Sequence, residues 1–229
     1  MQIIIVGLGG VGSLLSQSLA RFLNYSADIE ASILLVDGDT YEVKNYERQE
    51  FEDIGKKAEV KWVELSAKFS NVQFDYFTEY VDEENISELI QENDIVFVCV
   101  DNHKTRNMIN SYAQNLKNVT LISGGNEYHD GNVQIYIRKG GVDLTPDLCA
   151  YHPEIANPED QLPSEMSCEE LAQSEPQLYF TNMGVSTLMC WAFYNSIVKK
   201  ELERSEVYFD ITQMTADAKI RTVEIQKTT

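Results

Sequence analysis

A glycine-rich turn seven residues into the chain constrains the fold more than any other feature. Ile3-Ile4-Ile5-Val6 is a short unbroken apolar run, the pattern of a strand buried on both faces of a parallel sheet. Gly7-Leu8-Gly9-Gly10-Val11-Gly12-Ser13 follows at once, and Leu14 to Leu23 then carries apolar residues at helical spacing. Strand, G-x-G-x-x-G turn and helix together open a βαβ unit. Glycines let such a turn approach a phosphate closely, while free amides and the helix dipole attract the anion. A second apolar run, Ile33 to Val36, ends at Asp37, where a carboxylate can accept hydrogen bonds from a ribose. These features predict a bound nucleotide, and by themselves they suit a nicotinamide-dependent oxidoreductase as well as an ATP-binding enzyme.

The alternation continues along the chain. A helical pattern runs from Ala58 to about Phe69, and Val72 to Phe77 reads as a strand. Ile86 to Ile90 sits on a short helix, and Ile95 to Val100 is a strongly apolar strand ending at Asp101. Arg106 to Leu116 reads as a helix and Val119 to Ile122 as the next strand. The prediction is an α/β fold: a Rossmann-like, mostly parallel sheet with helices on both faces, extended by antiparallel strands in the C-terminal half.

In that half Gly131 to Arg138 alternates like an antiparallel strand, and residues 140–177 form an irregular crossover rich in Pro, Glu, Asp, Ser and Asn. A segment of that kind is usually functional or mobile. Thr181 to Lys199 reads as a well-buried helix, and Val207 to Ile211 and Lys219 to Ile225 as closing strands. With 229 residues the chain is expected to be a single domain, residues 1–126 the nucleotide-binding core and 127–229 a partner-binding and dimerisation half.

Charge narrows the partners. Eighteen basic against thirty-seven acidic residues leave a net charge of −19, a surface that repels nucleic acid and anionic membranes. No apolar run approaches the ~18 residues of a membrane span. The first apolar run has no basic flank and reads as a strand, not a signal peptide, so a cytoplasmic protein is expected. Cys99, Cys149, Cys168 and Cys190 form no C-x-x-C pair, so neither zinc nor a disulfide framework is expected.

Two further constellations favour a triphosphate. Asp37-Gly38-Asp39 is followed by Asn45-Tyr46-Glu47-Arg48-Gln49 and then by Gly55-Lys56-Lys57-Ala58-Glu59-Val60. A dinucleotide site has no need for Asn, Arg and Lys just after the ribose carboxylate. Arg48 and Lys57 suit the charge that grows on β- and γ-phosphates as pyrophosphate leaves. Asp101-Asn102-x-x-x-Arg106 lies at the carboxyl end of a strand, where Asp101 can hold Mg²⁺ against phosphates or cap the following helix.

Together these motifs resemble the ThiF/MoeB/HesA family, the bacterial relatives of ubiquitin-activating enzymes, over about residues 1–126. Gly124-Gly125-Asn126-Glu127-Tyr128 and Ser167-Cys168-Glu169-Glu170 look closer to plasmid-borne or phage-type ThiF relatives. The resemblance implies that ATP lies on Gly7, Gly9, Gly10 and Gly12, with Asp37 at the ribose and Asp39, Gln49 and Asn102 among the residues around the nucleotide. It places Asn45, Arg48 and Lys57 at the phosphates, and Asp101 at magnesium near the α-phosphate. The implied reaction adenylates the C-terminal carboxylate of a ubiquitin-like or sulfur-carrier protein with a diglycine tail and releases pyrophosphate. The acyl group then passes to a cysteine as a thioester, to a conjugating enzyme or to a sulfur donor, in a homodimer.

The sequence departs from the family pattern in three ways. Ala58 stands where G-x-x-K would put the lysine, so Lys57 takes the role, with Lys56 and Lys61 as substitutes. The zinc-binding cysteine pairs of many relatives are missing, and an arginine reaching in from a neighbouring subunit must come from somewhere other than an N-terminal helix. Cys99 and Cys190 read as core residues; Cys168, ahead of Glu169-Glu170, is the candidate acceptor before Cys149, and surface or structural thiols are the simpler account of both. His103, His129 and His152 have no ligand-spaced partners. Tyr46, Tyr128 and Tyr151 suit either the lining of a groove for an extended tail or ordinary packing. A catalytically silent scaffold of the same fold is the remaining alternative.

Overall fold

The computed structural model describes residues 1–163 and 177–223. β1 (Gln2–Val6) leads through the glycine turn into α1 (Gly10–Asn24) and then β2 (Ser32–Val36). A small ribbon, β3 (Thr40–Tyr41) and β4 (Gly55–Lys56), encloses a 3-10 turn at Val43–Glu47. α2 (Lys57–Lys68), β5 (Gln73–Phe77), α3 (Ile86–Leu89), β6 (Ile95–Val98), α4 (His103–Ala113) and β7 (Val119–Asn126) follow. The remainder adds β8 (Asp130–Lys139), β9 (Val142–Asp143), α5 (Pro153–Ala156), α6 (Tyr179–Phe193), β10 (Glu206–Asp210) and β11 (Thr215–Lys219).

The main sheet has the order β11-β10-β8-β7-β6-β1-β2-β5, with β9 paired to β8. β7, β6, β1, β2 and β5 run parallel, and β8, β10 and β11 extend them antiparallel. Every residue of β6 and all but the first of β1 are buried, which is why these strands are unbroken apolar runs. α1, α2 and α6 cover one face through Leu15, Leu19, Leu65, Val185, Met189 and Phe193. α3, α4 and α5 cover the other through Ile86, Ile109, Ala113 and Ile155. Each of these Val, Leu, Ile, Met and Phe side chains is worth about 1.5–3 kcal/mol when removed from water. The connection from β1 runs outward to β2 and β5, and the chain then returns to β6 on β1's other side. That reversal opens a crevice beyond the carboxyl ends of β1 and β6, the position where open α/β sheets hold ligands.

Several expectations are corrected. α4 begins at His103, three residues before Arg106, because Asn102 caps it at the Thr105 amide and the distant Asp160 takes the amides of His103 and Lys104. Among the described residues the strand after β10 is Thr215–Lys219, and residues 220–223 of the expected 219–225 are not in a strand, 224 and 225 lying outside the described residues; Asp210 ties the turn at Thr212 and Gln213 and closes a tight hairpin. α6 ends at Phe193 and continues as wider π turns over Tyr194–Lys199. Ser196 Oγ and Asn195 Nδ2 donate to the carbonyls of Ala192 and Trp191 at this change of pitch. Nor is α6 well buried all round: Phe180, Met183, Trp191 and Tyr194 stand exposed along one stripe.

The described part of the crossover is tied down. Asn107 donates to the carbonyls of Ile155 and Ala156, Asn110 accepts from the Leu148 amide, and Asp160 caps the start of α4. His152 lies between Glu154 and Glu206, and Glu206 also takes Tyr208 and Arg221. This cluster fastens the crossover to β10. Among the described residues no helix is long and apolar enough to cross a membrane.

Candidate functional site

The glycine turn is built by close approach. Gly7 has φ +89°, and a Cβ there would stand 2.9 Å from the Cys99 carbonyl group, so the turn lies directly against the segment that leads into Asp101. A Cβ on Gly10 would come within 2.1 Å of Asn182 Nδ2 on α6. Gly12 sits in the first turn of α1 with its α-carbon facing the Gly7 carbonyl. Gly9 is the open position, its nearest neighbour being Gln49 Nε2 at 3.9 Å. The turn therefore presents one unobstructed backbone surface to the crevice.

Asp37 closes β2 beside it. Its two oxygens accept the Leu8 amide at 2.6 Å and the Asp39 amide at 2.8 Å, which fixes the carboxylate against the turn and leaves lone pairs for further donors. Burial raises its pKa above the ordinary carboxylate value, although Lys57 and the two amides pull the other way. Asp39 is also partly desolvated, but the Lys57 ammonium at 2.6 Å more than offsets this and holds its pKa low. Tyr41 adds a hydroxyl bond of 2.7 Å to the Leu8 carbonyl, and its ring stacks on Phe51, which stacks in turn on Tyr46. This column ties the ribbon to the glycine turn.

The three lysines separate clearly. Lys57 lies buried between Asp39 and the Tyr41 ring. Lys56 is exposed and donates to the Gly38 carbonyl. Lys61 is fully buried in an ion pair with Glu64, whose other oxygen takes the Glu52 amide. That pairing occupies Lys61 within α2, whereas the charge of Lys57 acts on both Asp37 and Asp39.

Asn45 is buried and spends its side chain on the 3-10 turn, accepting from the Glu42 amide at 2.9 Å. It organises the loop that carries Arg48. Arg48 ends that turn, and its carbonyl accepts Asn182 Nδ2 at 3.1 Å, which brings the loop over the glycine turn. The Glu50 amide donates to Ser13 Oγ on α1, a second tie. Gln49 is buried, and its Oε1 has no hydrogen-bond partner among the described residues.

Asp101 stands exposed just after β6. It does not cap α4: Asn102 does, accepting the Thr105 amide at 2.8 Å, while Asp160 takes the amides of His103 and Lys104. Asp101 is thus left unspent at the crevice. Its charge is felt by Tyr80, whose pKa is raised by burial and by Asp39, Asp37 and Asp101. It is felt also by Arg106, whose guanidinium is buried against Ser123, Val100 and Gly124 and has its pKa lowered by desolvation. Asp37, Asp39, Lys57 and Asp101 therefore share one edge of the sheet, with the Arg48 loop at its glycine side.

Cys168 lies outside the described residues. Burial raises the thiol pKa of Cys99, of Cys149 to about 11 and of Cys190 to about 11. None of these three is poised as a thiolate. His152 pairs with carboxylates, and among the described residues no group of three or more His, Cys, Asp or Glu is placed to hold a metal. Tyr46, Tyr128 and Tyr151 each pack on a neighbour: Phe51, His129 and the Arg221 guanidinium. Asn182 and Asp160 were missed from sequence because their partners lie 134 and 57 residues away.

A mostly parallel Rossmann-like sheet, a glycine turn after its first strand, an aspartate closing the second and a loop that carries Arg48 over the turn define the class of α/β fold. The chain belongs to the ThiF family, whose model matches residues 1–229. It is 31% identical over 139 residues to the molybdopterin-synthase adenylyltransferase of Haemophilus influenzae, a match covering 59% of this chain and 54% of the relative. It is 30% identical over 144 residues to the Escherichia coli enzyme of the same name, covering 61% and 55%. The chain spans about half the length of the curated relatives it matches. Its fold is similar to that of E. coli MccB crystallised with ATP, with a TM-score of 0.75 at 18% identity, covering 98% of this chain and 65% of that one.

Proposed function

We propose that this chain, acting as one adenylation domain, binds ATP in the crevice beyond β1 and β6. There it adenylates the C-terminal carboxylate of a small ubiquitin-like or sulfur-carrier protein ending in a diglycine tail, releasing pyrophosphate. The observation that carries this reading is the convergence on one glycine turn of Asp37, Lys57, the Arg48 loop and an uncommitted Asp101. The adenylyltransferases among its relatives support it.

In this reading the ribose hydroxyls donate to Asp37, and the open backbone at Gly9 receives the phosphates. Arg48 and Lys57 neutralise charge that grows on the departing pyrophosphate, with Lys57 exchanging Asp39 for a phosphate oxygen. The donor set fits magnesium: one exposed carboxylate beside a phosphate seat is how that ion is commonly held, and Asp101 would hold it. Bound there, magnesium supplies charge neutralisation and fixes phosphate geometry. The protein otherwise contributes in-line positioning. The acyl group next passes to the Cys168 thiol, forming a thioester and releasing AMP and the thiol proton; the other three thiols are half-buried, with pKa values raised by burial.

The active form is a homodimer joined through α6. Residues 179–198 carry no charged side chain in a chain of net charge −19, so two copies repel each other least along that face. Trp191→Glu is expected to leave a monomer in light scattering.

The direct test is ATP–pyrophosphate exchange with magnesium and a panel of small carriers ending in Gly-Gly. Exchange that depends on the carrier supports the reading; ATP binding without exchange for any carrier overturns the proposed reaction. A reductant-sensitive adduct lost in Cys168→Ser marks the acceptor, and an undiminished adduct removes Cys168 from that role.

A further inference from the structure

Asn182 is fully buried in the first turns of α6, a poor place for an amide unless it does something there. Its Nδ2 donates to the Arg48 carbonyl at 3.1 Å, across 134 residues of sequence. The same atom lies 2.1 Å from where a Cβ on Gly10 would be, so it touches the glycine turn and the Arg48 loop together. Among the described residues its Oδ1 has no partner, and neither has the Oε1 of Gln49, the next residue of that loop. A merely structural amide would have both ends satisfied. The neighbouring Thr181, by contrast, spends its hydroxyl on the Tyr128 carbonyl at 2.7 Å, anchoring α6 away from the cationic loop.

We infer that Asn182 is a positioning residue for nucleotide binding: it fixes the main chain at Arg48 against Gly10 and thereby sets the guanidinium over the phosphate seat. The inference rests on the ATP-binding reading above and names a residue that makes the Arg48 loop and the glycine turn one unit. Within its own turn the Arg48 amide donates to the Asn45 carbonyl at 3.1 Å, and two residues on the Glu50 amide ties the loop to Ser13. Without the Asn182 amide the loop keeps its fold and its tie at Glu50, and the main chain at Arg48 loses its fixed distance from Gly10.

The test is calorimetric titration of the full chain with ATP and magnesium for wild type, Asn182→Ala, Thr181→Ala, Arg48→Ala and the double variant of Arg48 and Asn182. Asn182→Ala is expected to weaken ATP binding about tenfold in the wild-type background and not at all in the Arg48→Ala background, the coupling expected of residues that act through one another. Thr181→Ala is expected to lower the melting temperature with ATP affinity unchanged. Equal losses for Asn182→Ala in both backgrounds, or an equal loss for Thr181→Ala, would show general loosening and overturn the inference. No loss for Asn182→Ala overturns it as well. Wild type that binds no ATP removes the underlying reading first, an outcome distinct from either.

Discussion

Asp37 and Glu206 are both buried carboxylates, and they are treated in opposite ways. Glu206 is surrounded by donors: His152, Tyr208 and Arg221 all point at it, and together they bring its pKa down to about 2 despite burial. Asp37 receives only two backbone amides and one distant cation, and burial leaves its pKa raised. One cluster is complete in itself. The other holds a charge under-satisfied at the rim of a crevice. A buried charge fully served by its own chain belongs to stability, while one left short of donors is prepared for a ligand that brings them.

The largest test of this contrast lies at the crevice. Arg48→Ala and Asp101→Ala are expected to lower ATP–pyrophosphate exchange by roughly a hundredfold or more, with melting temperatures close to wild type. A large fall in melting temperature for either would move that residue to the structural side. Glu206→Ala is expected to do the reverse. It strands His152 and Arg221, costs about 3 kcal/mol of stability in urea titration, and leaves ATP affinity unchanged in the protein that remains folded.

Acidity sharpens the comparison. Burial works against the charged form of His152, yet Glu206 and Glu154 raise its pKa above the ordinary 6.5. Its contribution is fully present below 6.5 and is lost as pH climbs through the raised value. Glu206 has the opposite sign: its contribution is present above 4.5 and is lost as pH falls toward about 2. Urea midpoints should therefore decline as pH rises from 6.5, and His152→Gln should flatten that limb; an unchanged slope would separate the limb from this cluster. The smallest effects distinguish the lysines: Lys57→Ala should reduce exchange about tenfold, whereas Lys56→Ala should change it less than twofold.

How much of this was legible depended on how local the cause was. β1 and β6 were readable because burial on both faces demands an unbroken apolar run. The glycine turn and Asp37 were readable because their spacing along the chain is their geometry. β11 was not: Thr-Ala-Asp-Ala-Lys is an exposed edge strand held only by β10, so its sequence records no core. The start of α4 was misplaced because, besides the local cap Asn102, Asp160 of the crossover takes the amides of His103 and Lys104. α6 looked buried because it is apolar nearly all round, and sequence alone does not say which apolar stripe stays uncovered. Asn182 and the His152 cluster depend on partners distant in the chain, which no window of local pattern contains.

The contact between Gly10 and Asn182 carries a consequence for how sequences of this kind vary. The two positions compete for one small volume, so their sizes should trade off across evolution: a chain with alanine or serine at position 10 should carry glycine, alanine or another short residue at 182. The doubled glycine of the fingerprint thus records a helix that arrives more than a hundred and fifty residues later, and an alignment deep enough to expose paired substitutions would reveal it without coordinates.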